Sequence, residues 1–260
     1  MLNLTGLVPM ENICNHCFQQ RGNKVSQWSV PRINKLLKLT EDDHYLEIGV
    51  EKGNTFFGIE AGFKVAVDPK FLFDFQARSN SDEMFFQVTS DDFFAQAEEH
   101  EFLFDVIFLD GLHNFSQTYS DLISALDYLS PTGFILIDDV FPNDKYSFIP
   151  DQYLSYTERA KSVAPNSMTD YRWHGDIFKV VALIHDYHQN LHFRTFWDQE
   201  SNPQTVIWWD FPENRTRRFT GITEISNMSY EHVLANQDIL QMGSEEDIFE
   251  TLKHSRDLLK

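Results

Sequence analysis

The chain has 260 residues, 42% hydrophobic and 23% charged, which excludes a disordered tail or a fibrous repeat and supplies enough core for one elaborated domain. Its 40 Asp and Glu against 21 Lys and Arg give a formal net charge of -19, whose long-range repulsion opposes nucleic acid and anionic membrane as partners. No apolar run approaches the roughly 20 residues of a membrane helix, and the start lacks a basic segment followed by an apolar one, so the sequence reads as a cytoplasmic protein.

Residues 1–28 read as irregular. Cys14 and Cys17 lack a second pair to complete a zinc site and read as ordinary thiols, His16 notwithstanding. Without a secretory signal, the Asn-x-Ser/Thr matches at Asn3, Asn214 and Asn227 carry no glycosylation argument. Pro31 to Leu39 has helical apolar spacing. Short apolar runs then recur at Tyr45–Gly49, Lys64–Val67, Met84–Val88, Asp105–Leu109 and Phe134–Ile137, each closed by a polar or glycine-bearing turn. Helix-compatible stretches, Asp92–Glu99 and Gln117–Leu129, lie between them. Alternation of this kind predicts βαβ units, right-handed crossovers and a parallel sheet covered on both faces. Farther on, Phe178–Tyr187 reads as a helix, His192–Phe196 and Thr205–Trp209 as strands of an antiparallel edge, and Glu245–Leu259 as a last helix. With no repeat or linker, the division is a single domain over 1–260: an extension over 1–40, a core over 40–210 and a C-terminal extension over 211–260.

In a parallel sheet ligands bind beyond the carboxyl ends of the strands, so the residues closing each run are the candidates. The first run continues as Glu47-Ile48-Gly49-Val50-Glu51-Lys52-Gly53-Asn54-Thr55, a strand, a glycine turn and a helix start. A dinucleotide turn needs glycine where Glu51 stands, because its backbone closes on a pyrophosphate. Glu47 and Glu51 suit instead S-adenosylmethionine, which has no phosphate and carries a cationic ammonium and sulfonium. Asp68, ending the second run about 20 residues after the turn, is placed to accept both ribose hydroxyls. In Thr89-Ser90-Asp91-Asp92, Ser90 suits the adenine edge or the cap of the following helix.

Glu47-Ile48-Gly49-x-x-x-Gly53-x-Thr55, Asp68 and Phe104-Asp105-Val106-Ile107-Phe108-Leu109-Asp110 resemble the motifs of class I S-adenosylmethionine-dependent methyltransferases over about residues 40–210. The resemblance implies an α/β, three-layer Rossmann-like fold with a mostly parallel seven-stranded sheet and an antiparallel last strand. It also implies a cofactor site of Glu47, Gly49, Gly53, Thr55, Asp68, Ser90 and Asp110.

The fourth run ends in Asp110-Gly111-Leu112-His113 and the fifth in Ile137-Asp138-Asp139. If these strands are neighbours, three carboxylates converge at one sheet edge, a costly arrangement unless a cation or shared protons offset the repulsion. Oxygen ligands of this kind suit Mg²⁺ or another divalent cation. The pattern resembles the metal-dependent O-methyltransferases of the macrolide-sugar type, which pair Asp with His three residues on and then a paired Asp-Asp. The catechol type has Asn where Asp139 stands. Carried over by position, Asp110, Asp138 and Asp139 are metal ligands and His113 is the general base, whose unperturbed pKa of about 6.5 suits proton removal. The expected substrate is a hydroxylated small molecule, a sugar or secondary metabolite. Homo-oligomerisation stays open. A non-catalytic cofactor-binding protein and a nicotinamide-dependent oxidoreductase are the rivals, the second opposed by Glu51.

Past these strands, the long loop from Phe141 to Trp173 reads as a lid or substrate wall with Tyr146 and Trp173 as candidates, and Asp176 reads as the cap of the next helix. His185, His188 and His192 read as a solvated helix face rather than a second metal site. Arg215, Arg217 and Arg218 read as a turn surface or an anchor for an acidic substrate group.

Overall fold

The computed structural model describes residues 28–97, 102–163, 168, 172–197 and 203–258. The Cys14 and Cys17 pair, the Asn3 match and nearly all of the irregular start lie outside the described residues.

Strands β1 (His44–Ile48), β2 (Phe63–Val67), β3 (Glu83–Phe86), β4 (Phe104–Leu109), β5 (Leu129–Ile137), β6 (Leu191–Phe196), β7 (Gln204–Trp209) and β8 (Met242–Gly243) form one sheet. Its order is β3-β2-β1-β4-β5-β7-β6-β8. The first five pair in parallel, and β7 is antiparallel to both β5 and β6. The antiparallel strand therefore lies inside the sheet, between β5 and β6. One strand more than the seven expected is present, because the two-residue β8 adds in parallel to β6.

The helices are α1 over residues 28–37, α2 (Ser90–Ala97), α3 (Phe115–Leu126), α4 (Gln152–Ser162), α5 (Phe178–Tyr187), α6 (Ile222–Ser226), α7 (Tyr230–Ala235) and α8 (Glu245–Leu258). Side chains alternate across each strand. Leu46, Ile48, Ile107, Leu109, Ile135 and Ile137 meet α2, α3 and α5 on one face. Tyr45, Val106, Phe108, Phe134, Leu136 and Trp208 meet α1 and α8 on the other. The C-terminal residues thus enter the layered structure: α8 buries Ile248 and Leu252 against the second face. Each core aromatic such as Phe108, fully buried, contributes about 3–5 kcal/mol as judged by truncation to alanine.

β5 begins five residues before the expected run, because Ser130-Pro131-Thr132-Gly133 reads as a turn but remains strand, with a register shift opposite β4 between Phe104 and Val106. Among the described residues no helix is long and apolar enough to cross a membrane.

Register places the site. Ile48 pairs with Val67 and Leu109, and Leu109 with Ile137, so four strands end in one row. The ladder runs one residue farther, with Gly49 N–H donating to Val67 O, Asp110 N–H to Ile48 O and Asp138 N–H to Leu109 O. Gly49, Asp68, Asp110 and Asp138 therefore emerge side by side at one sheet edge.

Candidate active site

A cleft of about 520 Å³ opens over this edge, lined among others by Glu47, Gly49, Asp68, Ser90, Asp110 and His113. Its floor is the turn after β1. Gly49 has φ 91°, and a Cβ there would lie 2.1 Å from the Asp110 carbonyl oxygen, so the close approach of β1 to β4 requires glycine. Gly53, with φ 76°, turns the chain toward the short 3₁₀ helix Phe56–Gly58, and Thr55 stands buried at its start.

Glu47 is buried and accepts a 2.7 Å hydrogen bond from the Tyr45 hydroxyl. Burial pushes its carboxyl well above the ordinary range, and that hydrogen bond only partly offsets the shift. Asp68 holds the turn. Its Oδ2 accepts from Val50 N–H at 2.9 Å and Glu51 N–H at 2.8 Å, and its Oδ1 from Lys70 N–H at 2.7 Å. The helix cap before α2 falls to Thr89, whose Oγ1 accepts from Asp92 N–H at 3.1 Å and donates to its carboxylate. Ser90 instead lines the cleft and accepts from Gln117 Nε2 at 3.3 Å. Gln117 also donates to Asp121, and both α3 residues line the cleft. Sequence reasoning missed them, since a helix face gives no sign of which cleft it borders.

Beside the cofactor end, Asp110, His113 and Asp139 bring one ligand atom each within 4.8 Å of one another. His113 is the centre: Nε2 lies 3.3 Å from Asp110 Oδ1, and Nδ1 lies 2.9 Å from Asp139 Oδ2 and 3.2 Å from the Trp173 carbonyl oxygen. Both ring nitrogens thus face carboxylate oxygens, which hold the imidazole at its two edges. Asp139 is buried and holds a left-handed backbone, φ 57°, uncommon for a side chain with a Cβ. Asp138 lies outside this trio. Its Oδ1 accepts from Asp139 N–H at 2.8 Å and from Gln204 Nε2 at 3.2 Å. Burial first, then the neighbouring Asp110 and Asp139 charges, push Asp138 well above the usual carboxylate range.

Other residues missed from the sequence support this cluster from distant elements. Gln204 on β7 accepts from Arg32 Nη1 at 3.0 Å and donates to Ser29 Oγ at 2.8 Å. His174 is buried with Nε2 3.6 Å from Asp139 Oδ1. The wall after β5 contains α4, and Trp173 and Gln152 reach the cleft, whereas Tyr146 is not among its lining residues.

Three readings are corrected. Asp176 caps α3, through Phe115 N–H to Oδ1 at 2.7 Å, rather than the helix it precedes. The histidine trio diverges and is no solvated face: His185 is buried against Asp186 at 2.7 Å, His188 meets the Tyr119 hydroxyl, and His192 meets the Phe211 carbonyl. Arg215 faces inward, donating to the carbonyls of Ile184, His185 and His188 at the end of α5, which satisfies acceptors there, and to that of Leu191 at the start of β6.

A family model described as a methyltransferase domain matches residues 46–140, the span from β1 to just past Asp139. Over that span the chain resembles a methyltransferase domain. No curated protein matches it in sequence. Among solved structures, the plantazolicin methyltransferase BpumL, in complex with a pentazolic desmethylPZN analog and SAH, is 13% identical at a TM-score of 0.53, over 77% of this chain and 90% of that one. The O-methyltransferase from Bacillus cereus in complex with SAH is 15% identical at a TM-score of 0.42, over 77% and 91%. The MycE methyltransferase of the mycinamycin pathway, in complex with Mg, SAH and mycinamycin VI, is 12% identical at 0.42, over 70% and 47%. At these identities the likeness to BpumL speaks for the fold alone, and the fold is that of the methyltransferase domain.

Proposed function

We propose that this domain transfers the methyl group of S-adenosylmethionine to a hydroxyl oxygen of a small molecule, assisted by a divalent cation, Mg²⁺ foremost. The observation that carries the reading is the convergence of Asp110, His113 and Asp139 within 4.8 Å at the edge of the cofactor cleft. Asp110 and Asp139 bring carboxylates of like charge together at a part-buried edge, a costly arrangement that a hard cation would offset.

On the cofactor side, Gly49 and Gly53 leave the backbone open to the ligand, with Thr55 beside the turn. Glu47 offers negative charge to the cationic ammonium. Asp68, already fixed by three backbone donors, presents its remaining lone pairs to the ribose. Ser90 faces the adenine edge, and Asp110 stands between cofactor and acceptor. Asp110 and Asp139 would hold the cation, with Asp138 buried next to Asp139.

Methyl transfer from a sulfonium is an in-line displacement, and a neutral alcohol is a poor nucleophile near neutral pH. A bound divalent cation supplies a lowered pKa at the acceptor hydroxyl. His113 then takes that proton at Nε2, while Nδ1–H stays bonded to the Asp139 carboxylate and the Trp173 carbonyl. The acceptor is a hydroxylated metabolite or sugar small enough to lie between Trp173 and Asp110. The test is transfer of labelled methyl from S-adenosylmethionine to a panel of hydroxylated small molecules, with Mg²⁺ and with chelator. His113→Gln is expected to retain cofactor binding and lose turnover, and full turnover in that variant would overturn the assignment.

A further inference from the structure

The segment Arg172–Asp176 lies some sixty residues beyond His113 in the chain, yet it touches the His113–Phe115 segment and Asp139 at several points. The Trp173 ring stacks on the His113 imidazole at 4.7 Å and 16°, and its carbonyl faces Nδ1. His174 Nε2 sits 3.6 Å from Asp139 Oδ1, on the side of that carboxylate not facing His113. Gly175, φ 63°, presses so close that a Cβ would lie 1.6 Å from the His113 carbonyl oxygen. Asp176 accepts from Phe115 N–H at 2.7 Å, fixing the start of α3 two residues after His113.

The segment is itself anchored at both ends and in the middle. Arg159 donates to the Arg172 carbonyl at 2.8 Å and to Asp144. Trp173 Nε1 donates to Ile149 O at 2.7 Å, and the N–H groups of His174 and Gly175 both donate to Ser147 O. Lys179 ties down the Asp176 carboxylate at 2.8 Å. Such a bracing exceeds what a connecting loop needs, and its contacts fall on the two side chains whose mutual orientation matters.

We propose that residues 172–176 form a positioning clasp that sets the plane of the His113 ring and the orientation of Asp139, with Trp173 and His174 as positioning residues. The inference rests on the reading of His113 as the proton acceptor. The stacked Trp173 ring limits tilting of the imidazole, and the Trp173 carbonyl faces its Nδ1 edge. His174 holds the far oxygen of Asp139, as outer partners do for ligating carboxylates.

The test compares full-length Trp173→Leu, Trp173→Phe, His174→Leu and His174→Gln with His113→Gln, by kcat and KM for labelled methyl transfer to an acceptor found in the panel of hydroxylated small molecules, and by SAH affinity. The clasp predicts kcat losses of about 10–100-fold for the two leucine variants, with SAH affinity held. Phenylalanine, which keeps a stacking ring, and glutamine, which keeps a donor, recover most of the loss. Unchanged kcat in both leucine variants, with His113→Gln inactive, would overturn the clasp and leave the proton-acceptor reading standing. Full activity in His113→Gln would overturn the reading on which the clasp depends. If Trp173→Leu fails to fold, the polar pair His174→Leu and His174→Gln decides: equal kcat in the two contradicts the clasp.

Discussion

Replacing Gly49 with alanine strikes the joint between the cofactor turn and the proposed catalytic edge. The new Cβ would lie 2.1 Å from the Asp110 carbonyl oxygen, 2.5 Å from its carbon and 2.7 Å from Gly111 Cα, all backbone atoms, so the end of β4 must retreat by more than an ångström to reach the 3.4 Å where ordinary contact begins. The left-handed backbone at φ 91° adds about 1–2 kcal/mol for a side chain with a Cβ, and overpacking a tight site adds about 1–3 kcal/mol. Together these predict a loss of about 2–5 kcal/mol from a stability of about 5–15 kcal/mol. Moving Asp110 also disturbs its 3.3 Å contact with His113, so turnover falls beyond what the unfolded fraction explains. Gly53→Ala is the control: its Cβ would meet only the Phe57 ring, a partly exposed side chain that can swing away, and the cost reduces to about 1–2 kcal/mol of backbone strain. Urea denaturation and calorimetric titration with SAH measure both effects. Equal stability and equal SAH affinity for wild type and Gly49→Ala would refute the argument.

Glu47 is expected to bind the cationic cofactor with release of a proton, because burial raises its pKa in the free protein and a neighbouring cation lowers it; titrations in buffers of different ionisation enthalpy should show the release, and Glu47→Gln should abolish it. The same shift fixes a sign for stability. A carboxyl raised by folding weakens the fold as pH climbs from its unfolded value, about 4.3, through the raised folded value, so Glu47→Gln should flatten the pH dependence of stability across that window. Asp186→Ala should cost about 3 kcal/mol in denaturation, since it strips the buried acceptor of Arg218 N–H, Phe219 N–H and His185; SAH affinity should hold, because α5 (Phe178–Tyr187) carries Asp186 about 12 Å away from the cleft-side end of the helix.

Much of the frame was legible because buried parallel strands are short continuous apolar runs, and the polar residue that stops each one must stand at the sheet edge. That logic located Gly49, Asp68, Asp110 and Asp138, which the register then aligned. It also limited α5 correctly at Phe178 and Tyr187, where a continuous apolar stretch ends. Legibility failed where tertiary contact overrides local pattern. Pro131 and Gly133 look like a turn but remain in β5 beside a register shift. His185 looks solvated by spacing, but Asp186 and the returning segment at Arg218 and Phe219 enclose its end of the helix. Gln204 and His174 reach the carboxylates from positions far along the chain, with Arg32 bonded in turn to Gln204, and no spacing rule joins them to Asp138 or Asp139. The negative charge of the chain likewise gave no place for a site until strand ends gathered a few acids at one edge.

The proposal at the centre is a divalent-cation site at Asp110 and Asp139, beside the proton acceptor His113, for methyl transfer to oxygen. It is tested most directly by titrating Mg²⁺, and Mn²⁺ as a spectroscopic stand-in, into the SAH complex of wild type and Asp139→Asn while following labelled methyl transfer. One high-affinity cation in wild type, lost in Asp139→Asn together with turnover while SAH binding persists, is the predicted result. Methyl transfer that proceeds undiminished in chelator and in Asp139→Asn would contradict it.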